Sequence, residues 1–341
     1  MKKFLALLMA AAMLLALVAC GNTSTGNTDN AGNSSNTNTG DSNTGDTTGS
    51  GKELRFSTGG DQGTYYGFGT VLAQYVTSNT GTKVTAVVSN GSQDNIEQMS
   101  LNTAQMGFVQ SDVMSYAYNG ERLFEGTPVT DFSTVAALYM EQVQIVTCNP
   151  DIKSVADLKG KNVSIGASGS GVYYNALDVL GVYGLTEDDI NPTYQDFGNS
   201  VDALQDGKID AAFVVAGAPT TAITSLVTAK GTYLVSLDAE HIAALREESP
   251  YYSEYTIPAD TYEGVGETTT VAVGAVVIAR DDVSEDDVYN FVSAIFDNVS
   301  SLSHDKASEL NLDFAASVTN VPYHPGAARY FTEKGYEVPT K

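Results

Sequence analysis

The chain has 341 residues, of which 41 are acidic and 17 are Lys or Arg, which gives a formal net charge of −24 at pH 7. Such a chain offers no basic face for a phosphate backbone, so its composition argues against nucleic acid as a partner. The length beyond the N-terminal segments, roughly 290 residues, is enough for two packed lobes.

The first 19 residues have the composition of an export signal. A basic start, Met1-Lys2-Lys3, precedes an apolar run from Phe4 to Ala16 that is too short for a membrane span. The run ends in Leu17-Val18-Ala19-Cys20, which resembles the bacterial lipobox and implies cleavage before Cys20 and acylation of that residue. Several acyl chains would anchor the protein stably, whereas an ordinary secretory signal with a chance cysteine is the alternative.

Residues 21–51 are mainly Asn, Thr, Ser, Gly and Asp. Such a segment cannot bury enough apolar surface to fold, so we expect a flexible tether of about 30 Å. Residues 20–52 are therefore assigned as the lipidated Cys20 and its tether, and only the lipid is expected to contact the membrane. The predicted location is the outer face of a bacterial cell membrane.

The few Cys and His side chains favour structural roles. With Cys20 lipidated, Cys148 lacks a partner for an intramolecular disulfide, and a buried structural thiol is the favoured interpretation. His324 in the Pro-containing tail is interpreted as a structural hydrogen-bonding residue. His241 and His304 have no metal-ligand spacing around them, so neither a metal site nor a cofactor is predicted.

From residue 53 onward, predicted strands alternate with predicted helices, which is typical of an α/β sheet. The first half is predicted to contain strand Leu54–Ser57, helix Tyr65–Ser78, strand Lys83–Val88, a helix from Ser92 through Met99 and strand Met106–Val109. The second half is predicted to contain a short helix capped by Ser154, strand Val163–Gly166, helix Tyr173–Val182, a helix over Val201–Gln205 capped by Asn199 or Ser200, and strand Ala211–Val215.

The repetition of this scheme predicts two related lobes. Residues 53–141 and about 280–341 are assigned to lobe 1, and residues 142–279 to lobe 2. The β-branched runs Val135–Val146 and Thr269–Ala279 are expected to connect the lobes. Beyond them, Ser284 and Asp287 are expected to form a capping box that opens a helix over Asp286–Phe296.

Two glycine-rich turns, one in each half, connect a strand to a helix. They lead into the similar tetrapeptides Gly63-Thr64-Tyr65-Tyr66 and Gly171-Val172-Tyr173-Tyr174. A helix start presents backbone N–H groups that suit an anion or a carbonyl group, although a tight turn that only needs positive φ is the alternative. Because ligands of open α/β sheets bind beyond the carboxyl ends of strands, both turns are expected to face one small ligand.

Several side chains near these turns have two possible roles. Ser92 is expected first to cap a helix and second to contact ligand, and for Asn95 a loop-orienting role and a ligand contact stay equally open. Asp112 either caps the helix that follows it or meets a ligand ammonium group. Of each tyrosine pair only one can face the cleft, and Tyr65 and Tyr173 are favoured. The predicted ligand-binding residues are Gly59, Gly60, Gly63, Thr64, Tyr65, Ser92, Asn95, Gln110, Asp112, Ser168, Gly169, Ser170, Gly171, Tyr173 and Gly217.

The order and spacing of the motifs point to a family. The motifs include Thr58-Gly59-Gly60-x-x-Gly63-Thr64-Tyr65-Tyr66, Asn90-Gly91-Ser92-x-x-Asn95, Gln110-Ser111-Asp112, Gly166-Ala167-x-Gly169-Ser170-Gly171, Gly217-x-Pro219 and Pro322-x-His324-Pro325-Gly326-Ala327. From about Leu54 to Glu337 the chain resembles the TAXI group of solute receptors, the binding subunits of TRAP-type secondary transporters. The resemblance implies a type II periplasmic-binding-protein fold, in which two α/β lobes enclose a ligand cleft at a hinge.

The resemblance also implies a function. Members bind small acids such as glutamate, glutamine or 2-oxoglutarate, so the ligand is expected to be a small carboxylate or amino acid that is delivered to a TRAP permease. Because no Arg lies in the matched cleft motifs, we expect backbone N–H, Ser, Thr and Tyr groups to bind the carboxylate. A monomer is expected. A sensory co-receptor that docks on a signalling ectodomain is the alternative from another class.

A tethered hydrolase on the same fold is a third alternative, but the motifs do not fit it. The segment Gly166-Ala167-Ser168-Gly169-Ser170 lies between a strand and a helix as a nucleophile elbow does, yet Ser170 replaces the final glycine. Gly169-Ser170-Gly171-x-x-Tyr174 likewise lacks the third glycine of a dinucleotide-binding loop. The chain is therefore predicted to bind its ligand without converting it.

Overall fold

The computed structural model describes residues 49–341, so the predicted export signal, Cys20 and most of the tether lie outside the described residues. The strands are β1 (Glu53–Ser57), β2 (Lys83–Val87), β3 (Met106–Gln110), β4 (Phe132–Thr147), β5 (Asn162–Ser164), β6 (Asn191–Thr193), β7 (Ala211–Ala216), β8 (Tyr233–Leu234), β9 (Ser253–Ile257) and β10 (Thr268–Arg280). The α-helices are α1 (Thr64–Asn79), α2 (Ser92–Ser100), α3 (Ser111–Asn119), α4 (Val172–Val182), α5 (Phe197–Gln205), α6 (Thr221–Ala229), α7 (Ala239–Glu248), α8 (Glu285–Phe296), α9 (Leu312–Ala315) and α10 (Pro325–Glu333). Within this range, none of the helices has the length and hydropathy needed to cross a membrane.

The strands form one mixed sheet in the order β2-β1-β3-β10-β4-β7-β5-β6, with β8 beside β4 and β9 beside β10. Strand β1 is parallel to β2 and β3 near one end of the sheet, and β5 is parallel to β6 and β7 near the other. Parallel strands need long crossover connections, and helices provide most of them here. The alternation of strands and helices in the sequence predicts this arrangement, and the α/β class is confirmed.

Strands β4 and β10 pass through both halves of the molecule. They are antiparallel to each other from Phe132 opposite Arg280 to Gln142 opposite Ala272, with two register shifts between. The first part of β4 and the last part of β10 pack in one hydrophobic core, whereas Val143 and Val273 belong to a second. We call β1–β3, α1–α3 and α8–α10 the first lobe, and β5–β9 with α4–α7 the second lobe. The lobe limits at residues 141/142 and about 280 stay a prediction.

Helix α2 begins at a different residue from the predicted one. Its first helical residue is Ser92 itself, and Gly91 precedes it at φ 110°, a backbone conformation that glycine adopts without strain. Ser92 is therefore not the N-cap. Its hydroxyl instead accepts a hydrogen bond from the backbone N–H of Gln110 at 3.0 Å, which ties α2 to the end of β3.

The predicted caps of α3 and α5 are also wrong. Helix α3 begins one residue before Asp112, so this carboxylate lies inside the first turn rather than at the cap. Helix α5 begins at Phe197, where the Asp196 carboxylate accepts from the backbone N–H of Asn199 at 2.8 Å. Neither Asn199 nor Ser200 is the N-cap, because the helix starts earlier than its apolar pattern indicates.

Helix α8 follows Ser284 as predicted, but the capping box is wrong. Among the described residues no side-chain bond caps this helix, and the Asp287 carboxylate accepts from the Thr82 hydroxyl at 2.6 Å instead. Cys148 is half-buried rather than fully buried. The structural role of His324 is confirmed, since its Nδ1 accepts from the N–H of Gly326 at 3.3 Å at the start of α10. Burial lowers the pKa of His324, which keeps this acceptor neutral.

Candidate functional site

A cavity of about 60 Å³ lies between the two lobes. It adjoins the carboxyl ends of β1, β2, β3, β5 and β7, where ligands bind in open α/β sheets. This volume exceeds the roughly 10–15 Å³ that one water molecule needs, so the arrangement suits a small solute. The lining residues are Gly59, Gly60, Gly63, Thr64, Tyr65, Ser89, Asn90, Gly91, Ser92, Gln110, Glu141, Ala167, Ser170, Gly171, Val172, Asp196, Phe197, Val215 and Ala216.

The first-lobe wall consists of the glycine-rich turn after β1 and the first turn of α1. The turn is closed by a hydrogen bond from the N–H of Gly63 to the carbonyl of Gly60 at 2.9 Å. Helix α1 begins at Thr64, and its first N–H groups have no carbonyl partner within the helix. The Thr64 hydroxyl donates across the cleft to the carbonyl of Gly217 at 2.8 Å. This wall therefore offers N–H donors to an anion while its side chain joins the lobes.

The second-lobe wall is the loop between β5 and α4. Gly166 and Gly169 have φ values of 91° and 83°, so both positions favour glycine. Ser170 is buried, and its hydroxyl has no hydrogen-bond partner within residues 49–341. Gly171 packs so closely against Gln110 of the first lobe that a Cβ there would lie 1.7 Å from Gln110 Oε1. The loop therefore places an unpaired hydroxyl and a helix start opposite the first-lobe wall.

Tyr65 and Glu141 form the base of the cavity. The Tyr65 ring stacks on Phe108 with the ring centroids 4.6 Å apart, and its hydroxyl donates to Glu141 Oε2 at 2.6 Å. Glu141 lies on β4 where this strand passes from one lobe to the other, and it is only 2 % exposed. Burial raises the pKa of the Glu141 carboxyl to about 8, although the hydrogen bond from Tyr65 opposes this shift. A carboxyl group that changes charge near neutral pH therefore faces the ligand space.

An amide bridge connects the lobes beside the cavity. Gln110 at the end of β3 donates to Asn175 Oδ1 of α4 at 3.0 Å. The Asn175 amide donates in turn to Asp112 Oδ2 at 2.9 Å. Asp112 is fully buried, and burial raises the pKa of its carboxyl to about 6, with the bond from Asn175 acting in the opposite direction. The sequence motifs did not indicate Asn175, because its role depends on a partner in the other lobe.

A second polar contact between the lobes lies farther along α4. The Tyr252 hydroxyl accepts from the Asn175 amide at 2.9 Å and donates to Asp178 Oδ2, also at 2.9 Å. Asp178 pairs with Arg122 of the first lobe at 2.7 Å. None of these three groups, Tyr252, Asp178 and Arg122, lines the cavity, so they join the lobes without contacting the ligand space.

The structure brings nine of the fifteen predicted site residues to the cavity. They are Gly59, Gly60, Gly63, Thr64, Tyr65, Ser92, Gln110, Ser170 and Gly171. Asn95 lies behind the wall and donates to the carbonyls of Thr58 and Phe108, both at 2.7 Å. Of its two open roles, the structure therefore favours orientation of the loop.

The other five predicted residues do not line the cavity. Asp112 is in the amide bridge, and the Gly217 carbonyl accepts from Thr64. Ser168 is exposed, and Gly169 accepts from a backbone N–H of α2. The Tyr173 hydroxyl points to Glu187 at 3.1 Å, and it is the neighbouring Tyr174 that reaches Gln93 of the first lobe, at 3.4 Å. Neither tyrosine lines the cavity, so the preference for Tyr173 over Tyr174 at the cleft stays a prediction.

The lining also contains residues that the sequence analysis missed, above all Glu141 and Asp196. The detectable signal was that Glu141 is the single acidic residue of β4. Among the described residues that line the cavity, none is Lys or Arg. No group of three or more His, Cys, Asp or Glu within residues 49–341 is arranged to hold a metal ion.

Comparisons with known proteins bear on the family and on the fold. A family model described as "NMT1-like family" matches residues 56–335. Of the solved structures, a protein from Bordetella bronchiseptica RB50 is similar with a TM-score of 0.52 at 15% identity, over 76% of each chain. The ligand-binding component of an ABC-type import system from Staphylococcus aureus has a TM-score of 0.50 at 9% identity, over 85% of this chain and 94% of that one.

The alkanesulfonate-binding protein SsuA from Xanthomonas axonopodis pv. citri, bound to MOPS, has a TM-score of 0.47 at 17% identity, over 82% of this chain and 83% of that one. At such identities a structural likeness is evidence of fold alone. The structures with TM-scores of 0.52 and 0.50 confirm the predicted fold, two α/β lobes of the periplasmic-binding-protein type.

Proposed function

Since the chain belongs to the NMT1-like family, we propose that it is the extracytoplasmic solute receptor of a transporter. It captures a small ligand between its lobes and delivers that ligand to a membrane permease. The observation that supports this most is the cavity itself, which lies at the strand ends where helix starts from both lobes converge. The similar chain from Staphylococcus aureus, a ligand-binding component of an import system, supports the same class.

The contacts around the cavity suggest how binding changes the receptor. The lobes meet through a few direct bonds, such as the N–H of Asp94 to the carbonyl of Gly169 at 3.0 Å and the N–H of Ala222 to the carbonyl of Gln62 at 3.2 Å. A ligand that contacts both walls adds interactions that exist only when the lobes are together. This difference in affinity favours the closed arrangement, in which the permease recognises a loaded receptor.

We further propose that the ligand is a small carboxylate and that the permease is of the TRAP type, as the TAXI resemblance implies. The nine predicted residues that line the cavity are proposed to contact the ligand. Support for a carboxylate comes from the N–H groups at the starts of α1 and α4 and from the hydroxyls of Ser92 and Ser170. Lipidation at Cys20, with anchoring to the outer face of the cell membrane, completes the proposal.

A thermal-shift screen tests the receptor proposal. A ligand that binds only the native state stabilises it, by about 2.7 kcal/mol when its concentration is 100 times the dissociation constant. The panel contains amino acids, 2-oxo acids, dicarboxylates and sulfonates, and product analysis of the same mixtures detects turnover. We expect saturable stabilisation by at least one small carboxylate without turnover. Stabilisation by sulfonates alone would contradict the carboxylate proposal, and turnover would contradict the receptor.

Energy coupling separates a TRAP permease from an ATP-driven importer. In cells that produce the receptor and its permease, uptake of the ligand should stop when an ionophore collapses the ion gradient. Uptake that persists with the gradient collapsed and stops on ATP depletion would contradict the TRAP assignment while leaving the receptor proposal intact.

A further inference from the structure

Beside the N–H donors of the helix starts, the cavity contains buried side-chain acceptors. Gln110 is 2 % exposed, and its Oε1 has no hydrogen-bond partner in the part of the chain that the structure describes. Glu141 is equally buried, and within residues 49–341 its carboxyl accepts a side-chain hydrogen bond from Tyr65 alone. The Asp196 carboxylate, by contrast, already accepts from the backbone and side-chain amides of Asn199 at 2.8 and 2.6 Å. Buried acceptors without donors cost free energy, so a ligand gains affinity if it supplies a donor to Gln110 Oε1 and a cation to the Glu141 carboxylate.

Among the residues that the structure describes, no free cation faces Glu141. The groups that face it are the phenols of Tyr65 and Tyr139, the carboxyl of Asp112 and the ammonium of Lys306. The Lys306 ammonium is already bonded to the carbonyl of Ala218 at 2.6 Å and to the carboxylate of Glu309. Burying an ionised carboxyl without a partner is unfavourable, and burial accordingly raises the pKa of Glu141 to about 8.

We propose that Glu141 determines ligand specificity by pairing with a protonated amine, so that the ligand is a zwitterion whose carboxylate faces the helix starts. This inference rests on the proposed receptor function and makes it more specific. A ligand with carboxylates and no amine would offer no cation to stabilise the buried Glu141 carboxylate and would leave Gln110 Oε1 unpaired. Amino acids are therefore bound, and their 2-oxo acids, which differ only by a carbonyl in place of the amine, are rejected.

The pairing also moves a proton. In the free receptor at pH 7 the Glu141 carboxyl is mostly protonated, because its pKa lies near 8. An ammonium group placed beside it favours the carboxylate form. The O–H proton of Glu141 then leaves to solvent, while the ligand keeps its three N–H protons. Binding of an amine ligand at pH 7 should thus release close to one proton per site.

Matched ligand pairs and a matched variant test the proposal by calorimetric titration. The probes are L-alanine with pyruvate, L-glutamate with 2-oxoglutarate and taurine with isethionate, together with ethanolamine, an amine without an acid group. Glu141→Gln keeps an acceptor for Tyr65 and removes the charge. Glu247→Gln makes the same change at an exposed position in the last turn of α7 and serves as the control. Thermal melting without ligand verifies that both variants fold.

The wild type should bind an amine member about 100-fold more tightly than its partner without the amine, and Glu141→Gln should lose about 100-fold in affinity for the amine member alone. Titrations in buffers with different ionisation enthalpies should detect proton release in the wild type and in Glu247→Gln, but not in Glu141→Gln. Equal binding of both members of a pair, or an unchanged preference in Glu141→Gln, would overturn the inference and leave the receptor function standing. Binding of ethanolamine alone would support the role of Glu141 and refute the carboxylate. If no probe binds, both the inference and the carboxylate proposal are rejected.

Discussion

Replacement of Gly171 by alanine perturbs the contact between the lobes without perturbing either lobe alone. Gly171 has ordinary helical dihedrals, φ −71° and ψ −23°, so its backbone accepts any L-residue. In the structure, however, the new Cβ would lie 1.7 Å from Gln110 Oε1, 2.5 Å from Gln110 Cδ and 3.0 Å from Ser92 Oγ. Both of these side chains belong to the first lobe. Gln110 cannot move aside without losing its bond to Asn175.

The expected magnitude follows from overpacking. An added methyl group in a well-packed site is unfavourable by about 1–3 kcal/mol. Because only the closed arrangement is destabilised, the dissociation constant of the ligand should rise about 5- to 150-fold. The assay is calorimetric titration with the tightest ligand of the panel. Gly181→Ala is the matched control, because Gly181 lies in the same helix and a Cβ added there would meet open space. If Gly171→Ala binds as tightly as Gly181→Ala, the closed contact between the lobes is not required for binding.

Three further predictions concern stability. Gly326→Ala should lower the free energy of unfolding in urea denaturation by about 1–3 kcal/mol, because the new Cβ would lie 2.1 Å from the carbonyl oxygen of Glu285. Gly231→Ala is the control, since a Cβ there would meet open space. A loss no larger than that of the control would contradict the packing of α10 on α8. His324→Ala should lower the free energy of unfolding by about 1–2 kcal/mol, because the helix cap is lost. Because burial lowers the pKa of His324, the wild type should also lose stability below about pH 6.5, and the variant should not show this loss. Glu141 gives a pH dependence of the opposite sign, because its pKa is raised to about 8 in the folded state. The free energy of unfolding of the ligand-free protein should fall by up to about 1.4 kcal/mol per pH unit as the pH rises from about 4.5 to 8. Glu141→Gln should flatten that slope, and an unchanged slope would show that Glu141 is not the group responsible.

Local sequence signals predict the fold and one wall of the site well. Strand-to-helix turns rich in glycine are recognisable from a few adjacent residues, and Gly59, Gly60, Gly63, Thr64 and Tyr65 indeed line the cavity. Tyr65 can be placed at the cleft from sequence because it occupies the first turn of a helix whose start is clear. The alternation of strands and helices likewise specifies the α/β class.

Contacts between distant segments were not predictable in the same way. The sequence predicts only that the strand of Glu141 connects the two lobes. The role of Glu141 follows from its contact with Tyr65, which the folded structure shows. Asn175 acquires its role from Gln110 and Asp112, both more than sixty positions away. Ser92 resembles a helix cap, yet the positive φ of Gly91 moves the helix start onto Ser92 itself. These features depend on tertiary packing, which a single sequence does not display.

A ligand is expected to bind in the cavity between the lobes and to contact both lobes. A crystal structure of the complex with the tightest ligand measures this directly. Ligand atoms are expected within hydrogen-bonding distance of the first turn of α1, of Glu141 and of Ser170. A ligand bound to one lobe alone, or in the separate groove lined by Ser111 and Phe314, would contradict this expectation.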